Sequence, residues 1–179
     1  LKIIGVIMSN LHFHYGTMGT SKSADLIMNA FNFRKNKVNV ECIKPAFDNR
    51  FSENEIKSRV GISTPAISIP SLKDYKPKKE TKVILIDEIQ FFKPEDIDIL
   101  VNIADTQNII VMCYGLLVDY NEQMFPTSKK LIEVGAKLHQ LKSNCQIEGC
   151  MNLSDHHLLF DSKGNVVKGG TGIQLGDTI

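Results

Sequence analysis

Lys82-Val-Ile-Leu-Ile-Asp-Glu-Ile-Gln-Phe-Phe92 is the stretch on which the fold turns. Four consecutive apolar residues, Val83 to Ile86, predict a parallel strand buried on both faces. The run stops on two carboxylates, Asp87 and Glu88, followed by Gln90, Phe91 and Phe92. In open α/β sheets ligands sit at the carboxyl ends of the strands. Adjacent acids at that place suit two tasks, holding Mg²⁺ and accepting a proton.

Upstream, Leu11-His-Phe-His-Tyr15 reads as a strand running into Gly16-Thr-Met-Gly-Thr-Ser-Lys22-Ser23 and then a helical pattern. In a phosphate loop, backbone N–H groups and the positive end of the following helix surround an anion. A lysine reaches the terminal phosphates, and a Ser or Thr hydroxyl ligates Mg²⁺. Gly16, Lys22 and Ser23 have that spacing, but Ser21 stands where GxxxxGK[ST] has its second glycine. A non-glycine residue in a left-handed conformation costs roughly 1–2 kcal/mol. With Asp87 closing an apolar strand, the loop and the acidic pair together point to phosphate transfer.

Working outward, helices are expected over 22–35, from Pro94 to about Ala104, and over 128–134. Strands are expected over 38–43, 66–69, 108–113 and 136–141. The segments 48–65 and 71–82 read as polar loops. The stretch 115–128 is longer than a simple connection, and such loops are often functional. Beyond Cys145 short apolar runs at 158–160 and 173–175, separated by Asp161-Ser-Lys-Gly164 and Gly169-Gly-Thr-Gly172, predict small hairpins.

The expected architecture is therefore α/β: a P-loop ATP-binding domain over 8–142 with a mostly parallel sheet, then a small β module over 143–179. A chain of 179 residues, 42% apolar and 23% charged, suits one sizeable globular domain. The net charge of +1 offers no argument for a nucleic-acid or membrane surface. No apolar run approaches the roughly 20 residues of a membrane helix. Leu1 to Ile7 is too short and too weakly cationic for a secretory signal. Four cysteines in a chain this long are not a disulfide framework, so a reducing cytoplasm is expected, with Cys42 and Cys113 as buried small hydrophobes. Met8 is a candidate natural start, and the chain is expected to be truncated at its end.

Asp87-Glu-Ile-Gln-Phe-Phe92 resembles the DE-x-QFF motif of the thymidine kinase family of bacteria and animal cytosol. Tyr15 to Ser23 is similar to that family's phosphate loop, apart from Ser21. Lys44-Pro-Ala-Phe-Asp-Asn-Arg50 resembles its KPxxDxR segment, and Ser58-Arg-Val-Gly61 its SR-x-G continuation. Gly115-Leu-Leu-Val-Asp-Tyr120, with Phe125, resembles its GL-x-x-D-F segment. These blocks stand in family order from Leu11 to about Leu141.

The resemblance implies ATP-dependent phosphorylation of the thymidine 5′-hydroxyl, giving thymidine monophosphate and ADP. It implies Glu88 as the base, and the loop Gly16, Thr17, Met18, Gly19, Thr20, Ser21, Lys22 and Ser23 around the ATP phosphates, with Arg50 beside them. Ser23 and Asp87 would organise Mg²⁺. Met18, Phe91, Leu116, Tyr120 and Phe125 match positions that enclose the thymine, Tyr120 adding a hydroxyl that needs a partner. A homotetramer inhibited by thymidine triphosphate is implied as well. Two rival classes are a P-loop ATPase, with the acids activating water, and a catalytically weakened nucleotide-binding protein.

The final segment resembles the family's zinc-bearing lasso. The usual C-x-x-C is here Cys145 and Cys150, separated by Gln-Ile-Glu-Gly. A structural Zn²⁺ takes four ligands, and the family's second pair would fall past Ile179. His156 and His157 read as hairpin or surface residues rather than substitutes. Cys145 and Cys150 are either a metal half-site or ordinary hairpin residues.

Overall fold

The computed structural model describes residues 10–48 and 54–170. Arg50, the candidate start Met8 and the 173–175 segment lie outside them.

Among the described residues the sheet is six-stranded and parallel throughout. Its strands are β1 (Leu11–Tyr15), β2 (Val40–Pro45), β5 (Ile67–Ile69), β6 (Val83–Ile86), β7 (Ile110–Gly115) and β8 (Lys137–Gln140). Their order across the sheet is β5-β2-β6-β7-β1-β8. The chain lays down β2, β5, β6 and β7 on one side of β1 and returns to place β8 on the other. That reversal opens a crevice at the carboxyl end of β1, where open α/β sheets bind ligands.

Both faces of β6 are covered, which is why its four apolar residues carry no polar alternation. Ile84 and Ile86 enter a core with Leu11, Phe13, Leu100, Val111 and Leu131, under α2 (Pro94–Gln107) and α3 (Pro126–Glu133). Val83 and Leu85 enter a second core with Leu26, Ile27, Ala30, Met112 and Tyr114, under α1 (Lys22–Lys35). Cys42 and Cys113 are buried and unpaired, as expected.

Element boundaries follow local chemistry. Pro94 and Pro126 begin α2 and α3, where the missing N–H costs no helical bond. The Asp96 carboxylate accepts the Lys93 N–H at 3.1 Å, one half of a capping box. Asn108 closes α2 in the left-handed conformation, φ 52°, so β7 starts two residues later than its apolar pattern suggests.

The polar segment 48–65 contains structure the pattern did not show. Glu55–Lys57 (β3) pairs antiparallel with Ser63–Pro65 (β4). A single apolar residue, Ile56, anchors the hairpin in the α1 core, while its strand neighbours are exposed. One buried residue in three gives no readable period. The 71–82 connection is likewise tied down. Leu72 is fully buried, and the Glu41 carboxylate accepts from Tyr75 Oη at 2.7 Å, from the Lys78 N–H at 2.9 Å and from the Thr81 hydroxyl.

After β8 the chain forms a knuckle around Cys145 and a two-stranded hairpin, β9 (Leu159–Phe160) with β10 (Val166–Val167). Ile147, Met151, Leu153, Leu158 and Phe160 are all exposed there.

Candidate active site

β1 ends at Tyr15, and the chain turns through 16–21 before α1. The loop is locally tight. Thr20 Oγ1 donates to the Thr17 carbonyl at 2.8 Å, and Lys22 Nζ donates to the same carbonyl at 2.7 Å and to that of Gly16 at 3.3 Å. The ammonium thus folds back over the loop's own oxygens at the mouth of the helix. Ser21 stands at the helix N-cap in the left-handed conformation (φ 57°, ψ 27°) and makes no side-chain cap bond. The position does call for glycine, and serine occupies it under strain. Gly19 has φ 82°, and a Cβ there would collide with the Gln146 side chain from the cysteine knuckle.

β6 delivers the acids. Ser23 Oγ donates to Asp87 Oδ2 at 2.8 Å, so the first turn of α1 and the end of β6 share one contact. The Glu88 N–H donates to Asp87 Oδ1 at 3.1 Å. Burial first, then the charge of Glu88, push the Asp87 carboxyl up to about 7, against the pull of the Ser23 hydroxyl, the Glu88 N–H and Lys22. A buried acid raised in this way, facing a hydroxyl and a lysine, is a typical functional-site signature. Glu88 itself holds a left-handed backbone, φ 51°. Strained non-glycine residues of this kind cluster at active sites.

Gln90 belongs to the motif at the end of β6, and the structure gives it a role. Its Nε2 donates to Glu88 Oε2 at 2.6 Å, and its Oε1 accepts the Leu116 N–H at 3.0 Å. The amide therefore aims the glutamate and fastens it to the end of β7. Gly115 is where this is paid for: a Cβ there would meet Gln90 Oε1 and Ile89. Lys44 also reaches the site. It is 3% exposed and donates to the Asp48 carbonyl at 2.6 Å.

A cavity of about 160 Å³ joins these parts, lined by the 18–24 loop and helix start, by Lys44, Asp87, Glu88 and Gln90, and by the β3–β4 hairpin. Met18, Phe91 and Leu116 of the expected thymine enclosure also line it. Phe125 stands behind, edge-on to Phe91 with ring centroids 6.3 Å apart, and Phe47 meets Phe91 from another side at 5.1 Å. Tyr120 stands away from the cavity, its hydroxyl donating to the Gly169 carbonyl at 2.9 Å. That is the partner its extra oxygen requires. Ser58-Arg-Val-Gly61 forms the hairpin tip, closed by the Gly61 N–H on the Ser58 carbonyl at 3.0 Å.

The Cys145 N–H donates to the Asn152 carbonyl at 2.8 Å, and the Cys150 N–H to the Ile147 carbonyl at 3.0 Å. This turn sets the two thiols side by side. Hydrogen bonds from the Asn152 backbone and the Cys145 thiol hold the Cys150 thiol below its ordinary range. His157 is half-buried near Lys22, whereas His156 is exposed.

The chain matches the family model described as thymidine kinase over residues 9–171. Among named relatives, thymidine kinase of Enterobacteria phage T4 is 37% identical over 179 residues, covering 96% of this chain and 91% of its own. Those of Mannheimia succiniciproducens and Haemophilus influenzae are 32% and 31% identical over 176 residues each, 94% of this chain. They are covered over 89% and 90% of their own lengths.

Proposed function

This chain belongs to the thymidine kinase family and phosphorylates thymidine with ATP, and we propose that Glu88 is the base at the 5′-hydroxyl. The observation that carries this assignment is the chain of contacts Ser23–Asp87–Glu88–Gln90 beside Lys22 at the carboxyl end of β6. Glu88 lines the cavity, its carboxylate is oriented by Gln90, and its neighbour Asp87 is already engaged with Ser23. The two acids thus divide the work.

Phosphoryl transfer depends mainly on positioning and charge. Lys22, now resting on the Gly16 and Thr17 carbonyls, moves its ammonium to the phosphates, and the 16–23 loop and the N-terminus of α1 receive them. Arg50 is assigned to the same phosphates by its motif. Ser23 Oγ and Asp87 offer Mg²⁺ the hard oxygen donors it prefers, and the burial that disfavours an ionised Asp87 is the setting a cation relieves. Bound there, Mg²⁺ would neutralise charge on the transferring phosphate. Met18, Phe91, Leu116 and Phe125 build the thymine wall, and Tyr120 is assigned to it by its motif alone.

Cys145 and Cys150 fit two ligands of a structural Zn²⁺, supported by their adjacency and by the scarcity of buried apolar residues around them. The domain boundary near 142 rests on the same contrast. Thymidine triphosphate carries both groups that the one cavity receives, which supports feedback inhibition. Exposed Met28 and Phe31, one helical turn apart on α1, support an assembly face and the proposed homotetramer. Among the described residues no helix is long and apolar enough to cross a membrane; the proposed cytoplasmic location rests on the unpaired cysteines.

The test is ATP turnover by the purified chain with Mg²⁺, with and without thymidine. ADP release that depends on thymidine and matches thymidine monophosphate formed is the expected result. ADP release indifferent to thymidine would make the chain an ATPase.

A further inference from the structure

We propose that His12, His14 and His139 form a further metal site, for a borderline divalent ion such as Zn²⁺ or Co²⁺, apart from the phosphate-transfer centre and the cysteine pair. Along β1 the odd residues Leu11 and Phe13 enter the core beneath α2. His12 and His14 therefore take the face under α1, where neighbouring strands place Met112, Tyr114 and Leu85. Imidazoles thus occupy positions that are otherwise apolar. His14 pairs in register with His139 on the edge strand β8, which brings the third ring to the same face.

One ring nitrogen from each histidine lies within 4.8 Å of the others. His12 Nδ1 and His139 Nε2 are 3.0 Å apart. Three nitrogens bound at about 2.0–2.1 Å around a tetrahedral ion would stand about 3.3 Å from one another. The rings now stack, His139 with its centroid 4.5 Å from that of His14 and 5.2 Å from that of His12. Ligation therefore requires the exposed His139 ring on the edge strand β8 to rotate out of the stack and aim its nitrogen at the point the other two share.

A separate observation points to a ligand. His14 is 8% exposed, yet its Nε2 is buried without a hydrogen-bond partner. Its other nitrogen, Nδ1, faces Asp25 Oδ2 at 3.7 Å. A metal-bound histidine usually turns its second nitrogen to a carboxylate in this manner. Asp25 is in turn held by Asn29 Nδ2 at 3.0 Å. Burial, then the other two rings, lower the His14 imidazolium to about 4, and His12 is lowered as well, with Lys137 contributing. Neutral imidazoles are the ligating form. Three of them with one coordination position open suit an ion that prefers nitrogen, and not Mg²⁺. Its effect would be to tie β8 to β1, whose end is the phosphate loop.

The test uses the whole chain carrying Cys145→Ser and Cys150→Ser, stripped of metal and kept in excess Mg²⁺ so that thiolates and the oxygen site do not compete. Co²⁺ is titrated, followed by calorimetry and visible absorption. One ion per chain is expected, with d–d bands and no thiolate charge-transfer absorption. His139→Ala, an exposed and structurally mild change, should weaken binding at least tenfold, and Asp25→Asn by about 10–100-fold. Absence of saturable binding, or equal affinity in His139→Ala, would overturn the site.

Discussion

Glu88 and Asp87 are neighbours in sequence, yet their surroundings separate their roles. Gln90 holds the Glu88 carboxylate at the cavity, while Ser23 holds that of Asp87. Glu88→Gln should keep the fold and ATP binding and lower turnover by about 10²–10⁴-fold, the scale of a general base; near wild-type turnover would remove Glu88 from that role. Asp87 bears on stability as well. Its carboxyl is raised to about 7 in the folded chain from an ordinary value of 3.8. Between these values the folded state holds the proton and the unfolded state releases it, so stability falls as pH rises through the window. Asp87→Asn should therefore raise the nucleotide-free melting temperature at and above pH 7, flatten that pH dependence, and abolish Mg²⁺-dependent activity. Calorimetric melting of both proteins from pH 5 to 8 checks the sign. Ser21 offers a third case. With its φ of 57°, Ser21→Gly should stabilise the chain by roughly 1–2 kcal/mol in urea unfolding and leave ATP affinity unchanged or tighter.

At the scale of elements, the β3–β4 hairpin is the least legible part of the site and among the most consequential. It walls the cavity opposite the phosphate loop, yet hangs on the α1 core chiefly by Ile56, with Arg34 Nη1 donating to Thr64 Oγ1 at 2.6 Å. Ile56→Ala removes that anchor. Buried Ile-to-Ala changes cost about 2–5 kcal/mol, and here much of the loss should appear as local opening. The expected result is faster amide exchange over 55–65 and a raised KM for both substrates, with kcat less affected. Loss of global stability without any KM change would show that the hairpin serves the core alone.

For the whole molecule, the sheet supplies the frame and the segment after β8 the cover. The cysteine knuckle reaches the phosphate loop directly: Thr17 Oγ1 and Ser154 Oγ lie 3.1 Å apart, and Gln146 abuts Gly19. Metal at Cys145 and Cys150 should therefore be felt at the nucleotide. A form of the chain that also carries the family's second cysteine pair should hold about one zinc per subunit, bind thymidine more tightly, and lose both properties in Cys145→Ser. Zinc content unaffected by that substitution would make the two cysteines ordinary turn residues.

The buried parallel strand, the loop-to-helix anion site and the acidic pair were legible in the linear sequence because each rests on local pattern: an apolar run, a glycine spacing, and two acids ending a strand. The same reading located Ser21 as a strained position, since backbone sterics act on one residue at a time. Gln90 as the arm that aims Glu88, the hairpin wall hung on Ile56, and the partner of the Tyr120 hydroxyl were decided only in three dimensions. Each depends on a contact between segments far apart in sequence, as when Leu116 meets Gln90 or Gly169 meets Tyr120. The three histidines show the division most plainly. His12 and His14 are visible as an alternation on β1, but only the parallel pairing of β1 with β8 brings His139 beside them.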